Sequence, residues 1–133
     1  MRAGLLGLLL VALLTLGACG EDDFPNNPRP PSPVELTAAI DARSVSVSPS
    51  SVGAGLVTIT ISNQTDEPAR LTLEGPGEPV TSSEIPPGGT GSIKTTLEEG
   101  DYEAAAEPGI GIRPADLEVG PERPTSQNDL LQP

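Results

Sequence analysis

The stretch that decides the fold is Leu56-Val57-Thr58-Ile59-Thr60-Ile61, in which three β-branched apolar residues alternate with two threonines. Successive side chains of a β-strand point to opposite faces of the sheet. Val57, Ile59 and Ile61 are therefore predicted to face a core, and Thr58 and Thr60 to face outward. This period of two predicts a half-buried strand.

Shorter runs of the same kind lie on both sides of this strand, between breaks rich in Gly, Pro and Asn. They predict further strands over residues 34–41, 44–48, 70–74, 92–97, 101–106 and 116–119. The residues predicted to face inward in the later strands are Leu71, Leu73, Ile93, Thr95, Leu97, Tyr102, Ala104, Ala106, Leu117 and Val119. No run has a helical period. About seven short strands predict an all-β Greek-key sandwich, of which the immunoglobulin-like domain is one kind.

Tyr102 follows the turn Glu98-Glu99-Gly100 at the spacing Leu-x-x-Gly-x-Tyr. This spacing is typical of a tyrosine corner, in which the hydroxyl bonds back to the backbone of the turn. The other interpretation is that Tyr102 is simply the one aromatic residue of the core, because Phe24 is the only other aromatic residue in the chain.

The N-terminal segment has the pattern of a secretory signal peptide. Arg2 is followed by a leucine-rich run from Leu5 to Leu16, which is too short to span a bilayer. The run ends in Leu16-Gly17-Ala18-Cys19, which resembles the lipobox of bacterial lipoproteins. The resemblance implies that Cys19 becomes the acylated first residue of the mature protein, carrying fatty acids such as palmitate. The alternative is a general secretory signal cleaved nearby, which leaves Cys19 as a free thiol.

The chain therefore divides into four predicted segments. Residues 1–18 are a lipoprotein signal peptide, and residues 19–33 are the lipid-attachment cysteine and a tether with five prolines. Residues 34–120 form the β-sandwich domain, and residues 121–133 form a C-terminal tail. Extended at about 3.1 Å per residue, the proline-rich tether reaches roughly 40 Å. The tail ends in the apolar pair Leu130-Leu131, which either docks on the sandwich or contacts a partner.

Composition excludes several classes of function. The net charge of −12 opposes binding to nucleic acid and to anionic headgroups, so a bilayer is expected as a partner only through acylated Cys19. One cysteine permits no disulfide within the chain. The absence of His excludes Ser-His and Cys-His catalysis and the usual zinc sites.

Three further stretches resemble the cupredoxins, the plastocyanin-related copper proteins. They are Val47-Ser48-Pro49 through Ile61-Ser62-Asn63, then Ile85-Pro86-Pro87-Gly88-Gly89-Thr90, then Leu97-Glu98-Glu99-Gly100-Asp101-Tyr102-Glu103. The resemblance implies a cupredoxin-like sandwich. It also implies that the family's copper ligands, two His, a Cys and usually a Met, are missing. Ala69 and Arg70 stand where the family has a His, and Ala106 stands where it has the Cys.

Carboxylates are the only catalytic groups left, and Glu98, Glu99, Asp101 and Glu103 cluster around one turn. This cluster has three interpretations: a solvated hairpin edge, weak Ca²⁺ binding, and an acid-base pair. We expect the solvated edge, with no catalytic site, no metal site and no cofactor.

The expected protein is a lipid-anchored, extracytoplasmic and non-catalytic binding or structural module of the bacterial cell envelope, whose partner is an envelope protein or a small ligand. The alternative is a ligand-handling accessory of a transporter or redox system, derived from a cupredoxin that lost its metal site.

Overall fold

The structure, a computed structural model, describes residues 32–123. Within this range it contains nine β-strands and no helix. The strands are β1 (Val34–Ile40), β2 (Val45–Ser48), β3 (Ser51–Gly53), β4 (Gly55–Asn63), β5 (Arg70–Glu74), β6 (Val80–Thr81), β7 (Thr90–Leu97), β8 (Gly100–Glu107) and β9 (Ala115–Gly120).

The strands form two sheets that pack face to face. The first sheet has the order β2-β1-β4-β7, and the second has the order β3-β9-β8-β5-β6. The core between them consists of the inward side chains that the alternation predicts. Val57, Ile59 and Ile61 of β4 are almost completely buried, as are Leu71 and Leu73 of β5. The predicted all-β sandwich is confirmed.

Strand directions place the loops at two opposite ends of the sandwich. β1 and β4 run parallel, with Val34 opposite Val57 and Ile40 opposite Asn63. β7 and β4 are antiparallel, as are β8 and its neighbours β5 and β9. Four loops therefore meet at one end, which we call the loop end: residues 41–44, 64–69, 82–89 and 108–114. The chain begins its first strand at the other end, which we call the Val34 end.

The two long sides of the sandwich differ. On one side the chain crosses between the sheets at residues 49–50, because β2 belongs to the first sheet and β3 to the second. On the other side β7 is the edge of the first sheet and the two-residue β6 is the edge of the second. This second side is open, and a cleft described below lies there.

The structure differs from the sequence prediction in three details. It adds two short strands, β3 and β6, to the seven predicted; β4, β7, β8 and β9 are two or three residues longer than predicted, and β1 and β2 are one residue shorter. Thr72, which lies between the inward-facing Leu71 and Leu73, is on the outer face of β5 and yet is 5% exposed. Its hydroxyl lies 3.0 Å from that of Thr81 and donates a 2.8 Å hydrogen bond to Glu107, so β6 and the Glu107 side chain cover it.

Candidate functional site

Asn63 organises the loop end. It is completely buried, and its side-chain amide nitrogen donates to the carbonyls of Glu67 at 2.8 Å and Ile85 at 2.9 Å. Its side-chain oxygen accepts from the backbone and hydroxyl of Thr65 at 3.0 and 2.7 Å. The Gly88 N–H also donates to the Asn63 carbonyl at 2.9 Å. One amide thus joins the 64–69 loop to the 82–89 loop, a role that the sequence analysis did not identify.

The three positions matched to copper ligands also lie at or near the loop end. Ala69 is buried and exchanges backbone hydrogen bonds of 3.0 and 2.8 Å with Ile85. Arg70 is exposed, and its guanidinium lies 3.6 Å from Glu84 in an ion pair. Ala106 is buried opposite Leu71. These positions present methyl groups and a guanidinium that stays protonated, neither of which is a copper ligand.

Carboxylates do not replace the missing ligands. Within residues 32–123, no group of three or more His, Cys, Asp or Glu side chains is placed to hold a metal ion. The residues at the matched positions therefore do not supply the side-chain ligands that a cupredoxin copper ion requires.

Comparison with solved structures gives the fold class. Auracyanin A, a blue copper protein from the green thermophilic photosynthetic bacterium Chloroflexus aurantiacus, aligns over 67% of this chain and its own whole length, with 14% identity and a TM-score of 0.52. The chain has a cupredoxin-like fold. A multicopper oxidase aligns over 69% of this chain with 16% identity and a TM-score of 0.51, and the chain spans about half of it, 46%. No protein-family model and no curated protein matches the sequence.

The loop end also carries an exposed aliphatic side chain. Ile110 is 96% exposed, the one large hydrophobic residue of the described range that is exposed. It lies in the β8–β9 loop, whose Arg113 N–H donates to the Arg43 carbonyl at 2.9 Å. This backbone bond, together with the bridge between Ser44 and Arg113, holds the Ile110 loop against the 41–44 loop.

Asp41 closes the 41–44 loop. Its carboxylate accepts from the backbone N–H groups of Arg43 at 2.6 Å and Ser44 at 2.8 Å. These hydrogen bonds favour the charged form and lower the pKa of Asp41 below its ordinary value of 3.8.

Tyr102 forms the predicted corner at the Val34 end. Its hydroxyl accepts from the Glu98 N–H at 3.0 Å, which confirms the bond back to the turn. The same hydroxyl donates to the Pro76 carbonyl at 3.0 Å, a second bond that sequence spacing did not indicate. The ring lies against Gly75, where a β-carbon would overlap it. Tyr102 therefore ties the 98–99 turn to the 75–79 segment.

The acidic residues around that turn are all exposed, as the solvated-edge interpretation predicts: Glu98, Glu99, Asp101 and Glu103. The register adds a feature that the sequence analysis did not find. On the outer face of the second sheet, Glu103 lies opposite both Glu74 and Asp116, and Asp101 lies opposite Glu118. We call these five residues the acidic face: Glu74, Asp101, Glu103, Asp116 and Glu118. Like charges directly opposite each other destabilise a sheet, so the repulsion among these carboxylates lowers the stability of the second sheet.

The open side contains a cleft of about 310 Å³ between β6 and β7. Leu73, Leu97 and Tyr102 line it but are almost completely buried, and Val80 beside them is half-buried. Its rim carries the exposed carboxylates of Glu78 and Glu98.

Cys19, the predicted lipid attachment site, lies outside the described residues, as does the apolar pair Leu130-Leu131. In the range from 32 to 123, no helix is long and apolar enough to cross a membrane.

Proposed function

We propose that this protein is an extracytoplasmic bacterial lipoprotein, anchored through acylated Cys19, whose cupredoxin-like domain is a non-catalytic binding module that no longer uses copper. The chain enters its first strand at Val34, at the end of the sandwich opposite the loop end. An anchor upstream of Val34 then holds the loop end away from the bilayer and presents Ile110 to partners.

The chemistry of the loop end supports a role without redox activity. Ala69 and Ala106 are buried and have no side-chain donor atom, and Arg70 is paired with Glu84. The loop end is a scaffold fixed by Asn63 that presents its loops and the Ile110 side chain, and these are the contact surface that we propose.

The anchor is tested by metabolic labelling of the producing cells with an alkyne analogue of palmitate. The wild-type chain is expected to carry the label, and Cys19→Ser is expected to lose it. An unlabelled wild-type chain contradicts the anchor.

The binding role is tested by site-specific photo-cross-linking in the same cells. A photoreactive residue at position 110 is expected to give a discrete adduct with another envelope protein. The matched control carries the same residue at position 99, which is exposed at the opposite end, and is expected to give none. Equal adducts from both positions, or none from 110, contradict presentation by the loop end.

The second candidate function is the ligand-handling accessory. The observation that favours it is the cleft of about 310 Å³ on the open side, a volume at the lower limit for small-molecule sites.

A further inference from the structure

The outer edge of β7 is the longest free strand edge of the described range, because the eight-residue β7 ends the first sheet. The facing edge of the second sheet is the two-residue β6, which pairs only with β5. The first sheet has four strands and the second has five. The first sheet therefore stops one strand short on the open side.

Hydrogen bonds at the loop end show which backbone groups of β7 face this edge. The Asn63 N–H donates to the Gly89 carbonyl, on the β7 side of β4, and the next N–H, that of Gln64, donates to Ile40 on the β1 side. These directions alternate along an antiparallel ladder, so the odd-numbered residues of β4 and β7 bond to each other. Within residues 32–123, no backbone group bonds to the N–H and C=O groups that point outward, which belong to Thr90, Ser92, Lys94 and Thr96.

The inner side of this edge is incompletely covered. Thr95 of β7 and Val80 of β6 both line the cleft and are both half-buried. On a strand beyond β7, an inward side chain would lie beside Thr95 and face Val80. The edge thus offers backbone hydrogen bonds together with a partly exposed apolar side chain.

Residues 124–133 follow Arg123, which is fixed near this edge. Its guanidinium donates to the carbonyls of Ala54 at 3.3 Å and Leu56 at 2.7 Å. Both carbonyls lie at the Val34 end of β4 and face the β1 side, three strand spacings from a strand beyond β7. Ala54 is also two residues below the level of Thr96, so the distance to a position opposite Thr96 is about 16 Å.

The chain is long enough to cover this distance. Six extended residues, from 123 to 129, span about 20 Å, which leaves a margin of about 4 Å for the route around the ends of β4 and β7. Residues 129–133 can then lie along β7, antiparallel to it, from Thr96 to Ser92.

Charge favours one register for this pairing. With Asp129 opposite Thr96, the Asp129 carboxylate lies on the same outer face as the exposed Lys94, diagonally across the two strands. Leu130 then points inward. A shift by one residue would turn the Asp129 carboxylate inward beside the buried Leu97, which is costly for a charged group.

The backbone of this segment suits the ladder. Residues 129 and 131 each have an N–H group, so they can exchange hydrogen bonds with Thr96 and Lys94. Pro124 falls in the connection and Pro133 at the far end of the pairing, so neither proline interrupts it.

We propose that residues 129–133 add to the free edge of β7 as an antiparallel strand, with Leu130 packed against Thr95 and Val80. The covalent link to Arg123 keeps this segment at a high effective concentration near the edge. A second copy suits the edge less well, because antiparallel pairing of two β7 edges inverts one copy, whereas chains with the proposed anchor stand the same way up on a bilayer. The added strand narrows the cleft, so the proposal favours the binding module over the ligand-handling accessory.

The experiment is amide hydrogen exchange, measured by NMR on the ¹⁵N-labelled full chain in a nonionic detergent. The amides of Lys94 and Thr96 are expected to exchange at least about tenfold more slowly than unprotected amides. Leu130→Asp is expected to remove this protection. Leu131→Asp places the same charge one residue further on, on the outer face, and is expected to change the rates less than about twofold. The amide of Ile93, which faces β4, reports that the sheet stays folded in each variant.

Three results overturn the proposal. Rapid exchange of Lys94 and Thr96 in the wild type shows that the edge is free. Protection that disappears on dilution shows that a second copy covers the edge. Protection that survives Leu130→Asp, or that Leu131→Asp removes equally, shows that the inward contact of Leu130 does not hold the strand.

Discussion

Replacing Tyr102 by Phe tests the corner in isolation. The substitution keeps the ring on Gly75 and removes the hydroxyl, which leaves the Glu98 N–H and the Pro76 carbonyl without their 3.0 Å partners. Each lost hydrogen bond costs about 0.5–1.5 kcal/mol of net stability, so the two together cost about 1–3 kcal/mol. Both bonds are only partly buried, so water recovers some of the loss and the lower half of this range is expected.

Removal of the whole side chain is expected to cost more. Tyr102 is 7% exposed and has no aromatic neighbour in the described range to fill its place. Tyr102→Ala is therefore expected to lower the free energy of unfolding by about 3–5 kcal/mol, a large part of the roughly 5–15 kcal/mol available to a domain of this size.

Urea denaturation measures both variants, with Ile110→Val as an exposed control that is expected to leave the midpoint unchanged. Gly75→Ala adds a coupling test. Its new β-carbon overlaps the Tyr102 ring, so it is expected to destabilise the wild type and to be nearly harmless in the Tyr102→Ala background. A neutral Tyr102→Phe refutes the corner, and equal effects of Gly75→Ala in both backgrounds refute the packing of the ring on Gly75.

Four further outcomes are expected. Asn63→Ala removes four side-chain hydrogen bonds at a buried site and is expected to cost about 2–4 kcal/mol in urea denaturation, whereas a loss below about 1 kcal/mol rejects its organising role. Glu103→Lys turns its repulsion from Glu74 and Asp116 into attraction and is expected to stabilise by about 0.5–1 kcal/mol, with the gain shrinking as salt is added; a gain that ignores salt contradicts an electrostatic cause. Because the folded pKa of Asp41 is lowered, its carboxylate stabilises the fold above its unfolded pKa, and this contribution is lost as the pH falls through the folded pKa; NMR titration of Asp41 should therefore give a value below 3.8, and a higher one rejects the loop contacts. Titration of the full chain with Cu(I) and Cu(II) is expected to show weak association only, and a stoichiometric submicromolar site overturns the proposed loss of copper.

The inside and outside of each strand could be predicted because side-chain direction follows local backbone geometry. Alternation alone indicated that Val57, Ile59 and Ile61 face the core, and all three are buried. Alternation could not indicate that Thr72, on the outer face, is buried, because the residues that cover it, Thr81 and Glu107, are distant in sequence. A two-residue strand such as β6 is too short to show a period.

Features that depend on pairing between strands could not be predicted. The acidic face exists only because Glu103 is in register with Glu74 and Asp116, and a shift of one residue would remove it. Likewise the turn sequence indicated the bond from Glu98 to Tyr102, which spans four residues, and not the bond to Pro76, which spans 26. The cleft follows from the same long-range arrangement.

The parallel pairing of β1 with β4 gives the domain a mechanical property. Its register joins seven residue pairs, from Val34 opposite Val57 to Ile40 opposite Asn63. A pull on the chain ahead of Val34, with the loop end held by a partner, acts along the strands. The hydrogen bonds of the β1–β4 ladder then share the load in shear and do not open one after another. If the proposed anchor and partner hold the two ends, we expect the domain to resist extension, because extracting β1 breaks the bonds of this ladder together, whereas peeling an edge strand breaks them one at a time.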